Sequence, residues 1–163
     1  QALTFMQEGI ITPSTAYPCS GGFHFGRLKV GCHGHGSPLP LVPAIATSCN
    51  GYFCWGLYNM FNNRKKYDSV QDAMTVWKDY MVSMGFGYRL GIDLHGEKRG
   101  MIPNADYYDK AYRKSWNGLT VISISIGQGE VNLTPLQIAN LGATIANRGY
   151  YIVPHVVKEV QGD

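Results

Sequence analysis

From Val70 to Met84 the apolar residues Val70, Ala73, Met74, Trp77, Tyr80, Met81 and Met84 recur at steps of three and four. That spacing puts them on one face and predicts a long amphipathic helix. Gly85-Phe86-Gly87 follows, and glycine just past the last periodic position is a usual helix stop. Leu3, Phe5, Met6 and Ile10-Ile11 keep near-helical spacing, broken by Gly9 and Pro13, which predicts the tail of another amphipathic helix. A helix is expected from about Leu41 to Thr47, interrupted at Ser48 and resumed by a second that ends near Phe61. Thr134-Pro135 pairs a capping residue with proline at the first helical position, so a helix should start there and run through Ile138, Leu141, Ile145 and Ala146 to Asn147 and Gly149. Elsewhere the period shifts to two. Residues 19–30 alternate apolar with polar after a Gly-Gly turn, as a short exposed hairpin does. Val121 to Ile126 alternates strictly and predicts a half-buried strand, and Tyr150 to Val157 reads as a further strand. Arg89 to Leu119 is rich in Gly, Tyr and charge and predicts extended surface loops, anchored at residues 90–94 and 101–103.

Composition narrows this picture only in part. With 163 residues and 45% hydrophobic content, the chain is long enough to bury a sizeable core. Fourteen basic and eleven acidic residues leave a formal charge of +3, and no basic cluster exceeds Arg64-Lys65-Lys66. Nucleic-acid binding needs a concentrated basic face, so that class is excluded. No apolar run approaches the roughly 18 to 20 residues that cross a bilayer, and these residues carry no signal-peptide pattern, which says little about a longer parent. The first residue is Gln1, inside a predicted helix, and the last residues follow a predicted strand. The expectation is therefore a single partial domain over residues 1–163, cut at both ends from something longer.

The strongest candidate chemistry lies in Ala44-Ile45-Ala46-Thr47-Ser48-Cys49-Asn50-Gly51-Tyr52-Phe53. On a turn at the head of a helix, Ser48 and Asn50 would face one cleft while Cys49 turns inward. Ser and Asn are also preferred helix caps, and a second triplet, Ser115-Trp116-Asn117, sits in a polar loop. Three residues alone do not decide between cap and catalyst. A second constellation surrounds them. Cys19 and Cys32 flank the expected hairpin, His35 follows closely within Gly31-Cys32-His33-Gly34-His35-Gly36, and Cys49 lies inside the triplet. Three thiolates and an imidazole form a closed structural zinc set. A Cys19–Cys32 disulfide is the competing reading, and Cys49 and Cys54 as small buried residues a third.

Read together, these segments resemble the transpeptidase domain of penicillin-binding proteins, specifically the class B elongation type called penicillin-binding protein 2. The resemblance rests on Gly34-His35-Gly36 before the Ser48-Cys49-Asn50 block, then Gly85-Phe86-Gly87, residues 91–97 and Gly100-Met101-Ile102-Pro103. It continues in Ser125-Ile126-Gly127-Gln128-Gly129, residues 133–139, Ile145-Ala146-Asn147-Arg148-Gly149 and Pro154-His155-Val156-Val157. The fold it implies is α/β (α+β), here the helix-rich part of the penicillin-binding protein and β-lactamase-like transpeptidase fold, with a hairpin and one or two strands. Of that class's three motifs, Ser-x-x-Lys, the Ser-x-Asn type and Lys-Thr-Gly, only the middle one occurs in these residues.

The resemblance implies a serine acyl-enzyme D,D-transpeptidase that cross-links peptidoglycan stem peptides ending in D-Ala-D-Ala, maintains cell wall and cell shape, and is a target of β-lactams. Ser48 would serve the leaving amine, Asn50 would position the acyl donor, and Gly127, Gln128 and Gly129 would border the substrate. The implied protein sits at the periplasmic face of the inner membrane, anchored by an N-terminal transmembrane helix and partnered by a polytopic membrane glycan polymerase. Without the other two motifs, these residues alone should be inactive. Some elongation-type relatives carry a metal in this neighbourhood, which supports a structural zinc on Cys19, Cys32, His35 and Cys49; catalysis itself requires no cofactor. The alternative from another class is a non-catalytic, zinc- or disulfide-stabilised peptidoglycan-binding module. Apolar faces lacking their partner strands would also favour self-association.

Overall fold

The computed structural model describes residues 1–159. Its residues group into two compact units, one formed by Gln1–Trp77 with Asn104–Gly129, the other by Lys78–Pro103 with the residues from Glu130 onward.

The first unit is built around a helix that is apolar nearly all round. In α3 (Asn50–Phe61), Gly51, Tyr52, Cys54, Gly56, Leu57, Met60 and Phe61 are buried, and a helix without a wide polar face is stable only when enclosed. α1 (Ala2–Gln7) packs on it through Phe5, whose side chain is wholly buried. Gly56 permits that approach, since a Cβ there would lie 2.5 Å from carbons of the Phe5 ring. β1 (Gly22–Phe25) and β2 (Leu28–Gly31) form an antiparallel hairpin with Phe23 opposite Val30. Its two-residue turn takes Gly26 at φ 57, the positive value such turns require. Phe23 seats the hairpin on α3, its ring 4.7 Å from that of Trp55.

α2 (Leu41–Ala46) precedes α3 across the Ser48 turn, and α4 (Val70–Ser83) begins in this unit. A reciprocal cap starts α4: Ser69 N–H donates to Asp72 Oδ2 at 2.9 Å, and Asp72 N–H donates to Ser69 Oγ at 3.1 Å. Val70, Ala73, Met74, Trp77 and Met81 of its predicted stripe are buried.

Two expectations in this unit fail for identifiable reasons. The stretch from Val121 to Ile126 is not a strand; Ile122–Ile126 forms a 3₁₀ helix. Its alternation is equally a period-three pattern, because Val121 with Ile124 and Ile122 with Ser125 are each three apart and all four are buried. The only sheet among the described residues is the hairpin, so an extended segment here would leave its backbone groups unpaired. Ser125 Oγ instead donates to Ile122 O at 2.6 Å, and Gly127 closes the turn at φ 71. The loops expected between Arg89 and Leu119 contain a helix, α5 (Ala105–Ala111). Asn104 caps it by accepting the N–H of Tyr107 at 2.9 Å, with Asp106 in its first turn and Lys110 in its last, both signs complementing the helix dipole.

In the second unit α6 (Pro135–Ala146) opens with a capping box of Thr134 and Gln137. Its buried residues are polar. Gln137 and Asn140 are 1% and 3% exposed, whereas Ile138 and Ile145 of the predicted apolar face are 55% and 59% exposed. Gln137 Nε2 donates to the carbonyls of Tyr88 and Arg99, both at 2.9 Å, so one amide ties the helix to both ends of the loop between them. Within that loop Glu97 accepts the N–H groups of Gly91 and Ile92 at 3.0 and 3.3 Å. Tyr150 to Val157 forms no strand; no neighbouring strand among the described residues pairs with it, and its backbone instead reaches Asp93, which accepts Val157 N–H at 2.7 Å. No helix of the described residues is long and apolar enough to cross a membrane.

Candidate active site and metal centre

The chain leaves α2 through two backbone hydrogen bonds, Ser48 N–H to Ile45 O at 3.0 Å and Cys49 N–H to Ala44 O at 2.9 Å. This is the Schellman pattern of a helix end, which places one residue in the left-handed region and usually fills that place with glycine. Here Ser48 occupies it, at φ 50. A side chain in that region costs roughly 1–2 kcal/mol, and non-glycine strain of this kind concentrates at functional sites. Ser48 is exposed and its hydroxyl makes no hydrogen bond among the described residues. It does not cap α3. That task falls to Cys49, whose sulfur accepts the N–H of Tyr52 at 3.3 Å.

Cys49 is fully buried while Asn50 is half-buried. One N–H of the Asn50 amide goes to the carbonyl of Gly31, at the end of β2, at 2.9 Å. The triplet is thereby fastened to the hairpin, leaving Oδ1 and a second N–H of Asn50 for a ligand.

Behind the turn, Cys19, Cys32, His35 and Cys49 converge, their four ligand atoms all within 4.8 Å of one another. All four cysteines of the chain are free thiols. A tetrahedral zinc ion with thiolate arms of about 2.3 Å holds its sulfurs about 3.8 Å apart, so this set needs only slight contraction to close on one. Cys32 Sγ and His35 Nε2 are already 3.4 Å apart. His35 Nδ1 lies 2.7 Å from Gly36 O, a contact that keeps the ring's remaining proton on Nδ1 once Nε2 gives up its own to bind an ion. The donors thus fit a closed zinc site in number, type and orientation.

Electrostatics at the cluster follow from burial and from the start of α3. Burial opposes ionisation of Cys32, but hydrogen bonds from His35, from the backbone N–H groups of Asn50 and Gly51, and from Cys19 bring its thiol down to about 7. Burial pushes Cys49 up to about 12 and Cys54 up to about 11. The contact with Gly36 O, followed by that with Cys32, raises His35. A bound dication overrides this pattern, because its charge deprotonates a coordinating thiol. Cys54 stays outside the cluster, its Sγ 3.3 Å from Ser125 Oγ beneath the 3₁₀ helix.

Gly127, Gln128 and Gly129 follow that helix as an exposed turn, the two glycines at φ 71 and 70. Gln128 N–H is held by Ser123 O at 3.1 Å, which projects the turn from a fixed base. Sequence reasoning missed Gly51. A Cβ there would sit 2.8 Å from Cys19 Sγ, so the position after Asn50 must lack a side chain for the cluster to gather. The signal was a glycine in the first turn of a helix, where it is otherwise unfavourable.

Residues 1–162 match the family model described as the penicillin binding protein transpeptidase domain. The chain is 34% identical over 170 residues to the peptidoglycan D,D-transpeptidase MrdA of Acinetobacter baumannii, covering 99% of this chain and 23% of that protein. It is 33% identical over 168 residues to MrdA of Haemophilus influenzae, covering 99% and 24%. It therefore spans about a quarter of the length of these curated relatives. Among solved structures it is similar to Pseudomonas aeruginosa PBP2 in complex with WCK 5153, with a TM-score of 0.79 and 26% identity over 97% of this chain and 33% of that one. The complex of PBP2 and MreC from Helicobacter pylori gives 0.76 and 25% over 99% and 28%.

Proposed function

This chain belongs to the penicillin-binding protein transpeptidase domain family, and from that premise we propose that it supplies the Ser-x-Asn corner of an elongation-type peptidoglycan D,D-transpeptidase. The observation that carries the reading is the Ser48 hydroxyl, exposed and unbonded on a left-handed turn between two helices, with Asn50 fastened beside it. A residue serving only as a cap would spend its oxygen on the backbone.

The reaction is acyl transfer at a D-Ala-D-Ala stem peptide. A serine nucleophile outside these 163 residues attacks the penultimate carbonyl, D-alanine departs, and an amine from a neighbouring strand resolves the acyl-enzyme. Ser48 Oγ delivers a proton towards the departing amine. Asn50 holds the donor's backbone in attack geometry, an effect worth several kcal/mol when alignment is good. Gly127, Gln128 and Gly129 form a rim beside the donor. The MreC complex and a neighbour described as a peptidoglycan synthase complex coordinating polymerization and crosslinking support an assembly that couples crosslinking to polymerization, for which we infer a membrane glycan polymerase at the periplasmic face.

Cys19, Cys32, His35 and Cys49 hold a structural zinc ion in this reading. Zinc bound there supplies folding free energy and, with four protein ligands, leaves no open position for chemistry. Cys49 joins the Ser48 turn to the site, while Cys19 and Cys32 join the two ends of the hairpin.

The test is acylation of the full-length protein by a fluorescent penicillin. Ser48→Ala should slow it by about a hundredfold or more, the usual weight of a positioned proton donor, and Asn50→Ala should weaken it as well. Undiminished labelling of both variants would return the triplet to a structural turn. The 163 residues alone should not label.

A further inference from the structure

The three thiols of the cluster are not equivalent. Cys19 and Cys49 are buried, at 5% and 0% exposure, whereas Cys32 is partly open to solvent at the end of β2. Cys19 lies close to both of the others, since the ligand atoms of the cluster are all within 4.8 Å of one another. Cys49 is further engaged as the cap of α3. Cys19 and Cys32 also stand at adjoining ends of one hairpin: Gly22 faces Gly31 in the register, and Cys32 N–H donates to Gly21 O at 2.9 Å. An oxidant from solvent meets Cys32 first, with Cys19 the unencumbered neighbour to resolve the product.

We propose that this cluster is a redox-gated metal centre, in which oxidation joins Cys32 to Cys19 and releases the ion, uncoupling the hairpin from the Ser48 turn. The inference rests on the zinc reading above. The oxidant is a disulfide, of a small thiol or of a thiol oxidoreductase. The Cys32 thiolate attacks one sulfur of that disulfide, forming a mixed disulfide and releasing the first thiolate. The Cys19 thiolate then attacks the Cys32 sulfur, forming the Cys19–Cys32 bond and releasing the second. Two electrons pass from the cysteine pair to the oxidant, whose two thiolates take up protons from solvent. Cys49 and His35 remain as the only ligands, too few for a closed site.

Cys49 is then no longer held to the hairpin through the metal, and the strained residue at position 48 loses one of its two anchors. The Asn50 contact with Gly31 O is the other. Zinc and disulfide, which compete as static readings of these cysteines, become the reduced and oxidised states of one device. Cys54 takes no part, since its thiol is buried against Ser125.

The experiment starts from full-length protein purified with reductant, its zinc content measured before anything else. Absence of zinc at that stage overturns the metal reading, and the gate with it. With zinc present, excess oxidised glutathione should release about one equivalent per chain, the number a single four-ligand site holds. Release should coincide with loss of two thiols, and peptide mapping should find Cys19 linked to Cys32. Dithiothreitol with zinc should restore the starting state, and Cys54→Ser should behave as the parent does. Retention of zinc under oxidation would overturn the gate alone. So would release accompanied by stable glutathionylation or by a Cys49–Cys54 link.

Discussion

Ser48 is the residue whose backbone the sequence could not disclose. Its neighbours marked it as a candidate, yet the left-handed conformation depends on how α2 ends, and that is fixed by carbonyls at Ala44 and Ile45 rather than by any feature of serine. The expected inward turn of Cys49 was more accessible, because a small apolar residue before a bulky helix has few other places to go. Strain at Ser48 makes a prediction that separates stability from chemistry. Glycine tolerates φ 50 without strain but gains conformational freedom in the unfolded chain, two effects of about 1 kcal/mol that largely cancel. A β-branched residue has no such relief. Urea unfolding should therefore rank Ser48→Gly level with the parent and Ser48→Val less stable by about 1–2 kcal/mol, while both lose penicillin acylation. Equal stability of the two variants would show that the turn relaxes and stores no strain.

Among the elements, those that carry their own signals were legible: α4 by its stripe, α6 by Thr134-Pro135, the hairpin by its alternation. The two failed strands share one cause. Ile122–Ile126 and Tyr150 to Val157 have strand-like patterns, but a strand is a property of two segments, and no partner stands beside either among the described residues. α5 was hidden because only Tyr108 of its residues is buried, so its capping residues were the sole cue. In the second unit the extended segment is held instead by Asp93, which accepts Val156 N–H at 3.0 Å and Val157 N–H at 2.7 Å. These contacts, Val157's first, hold its carboxyl below the usual carboxylate value. A depressed folded-state pKa means the tether is fully present above the unfolded value, about 3.9 for Asp, and is lost as pH falls through the lower folded one. Amide proton shifts of Val156 and Val157 should thus stay constant at neutral pH and titrate with a midpoint below about 3.9. Asp93→Asn should abolish that titration. Midpoints at or above the ordinary value would remove Asp93 as the anchor.

At the scale of the whole molecule, the first unit combines a core led by α3 with a hairpin that has little to bury. Phe23 is enclosed, but Phe25 is 39% exposed and β2 has no fully buried residue, and an isolated two-stranded hairpin is marginal in water. Its attachments include the Phe23 contacts with Trp55 and Tyr58, the Phe25 contact with Tyr58, the Asn50 amide, and the four-ligand cluster. If zinc occupies that cluster, binding stabilises the folded form by mass action, on the order of 4 kcal/mol at a thousandfold excess over its dissociation constant. The effect should be local, since all four ligands lie in the first unit. Chelation should therefore speed amide exchange in Gly22–Phe25, Leu28–Gly31 and the first turn of Asn50–Phe61 by tenfold or more, about the effect of 1.4 kcal/mol. Exchange in Pro135–Ala146, whose buried Gln137 and Asn140 belong to the second unit, should not change. Gly51→Ala should reproduce the chelated pattern even with zinc in solution, because its methyl group would displace Cys19 Sγ from 2.8 Å. Uniform acceleration across both units would instead mean that the metal stabilises the fold as a whole, and unchanged exchange in the hairpin would mean that the Phe23 and Phe25 ring contacts and Asn50 hold it unaided.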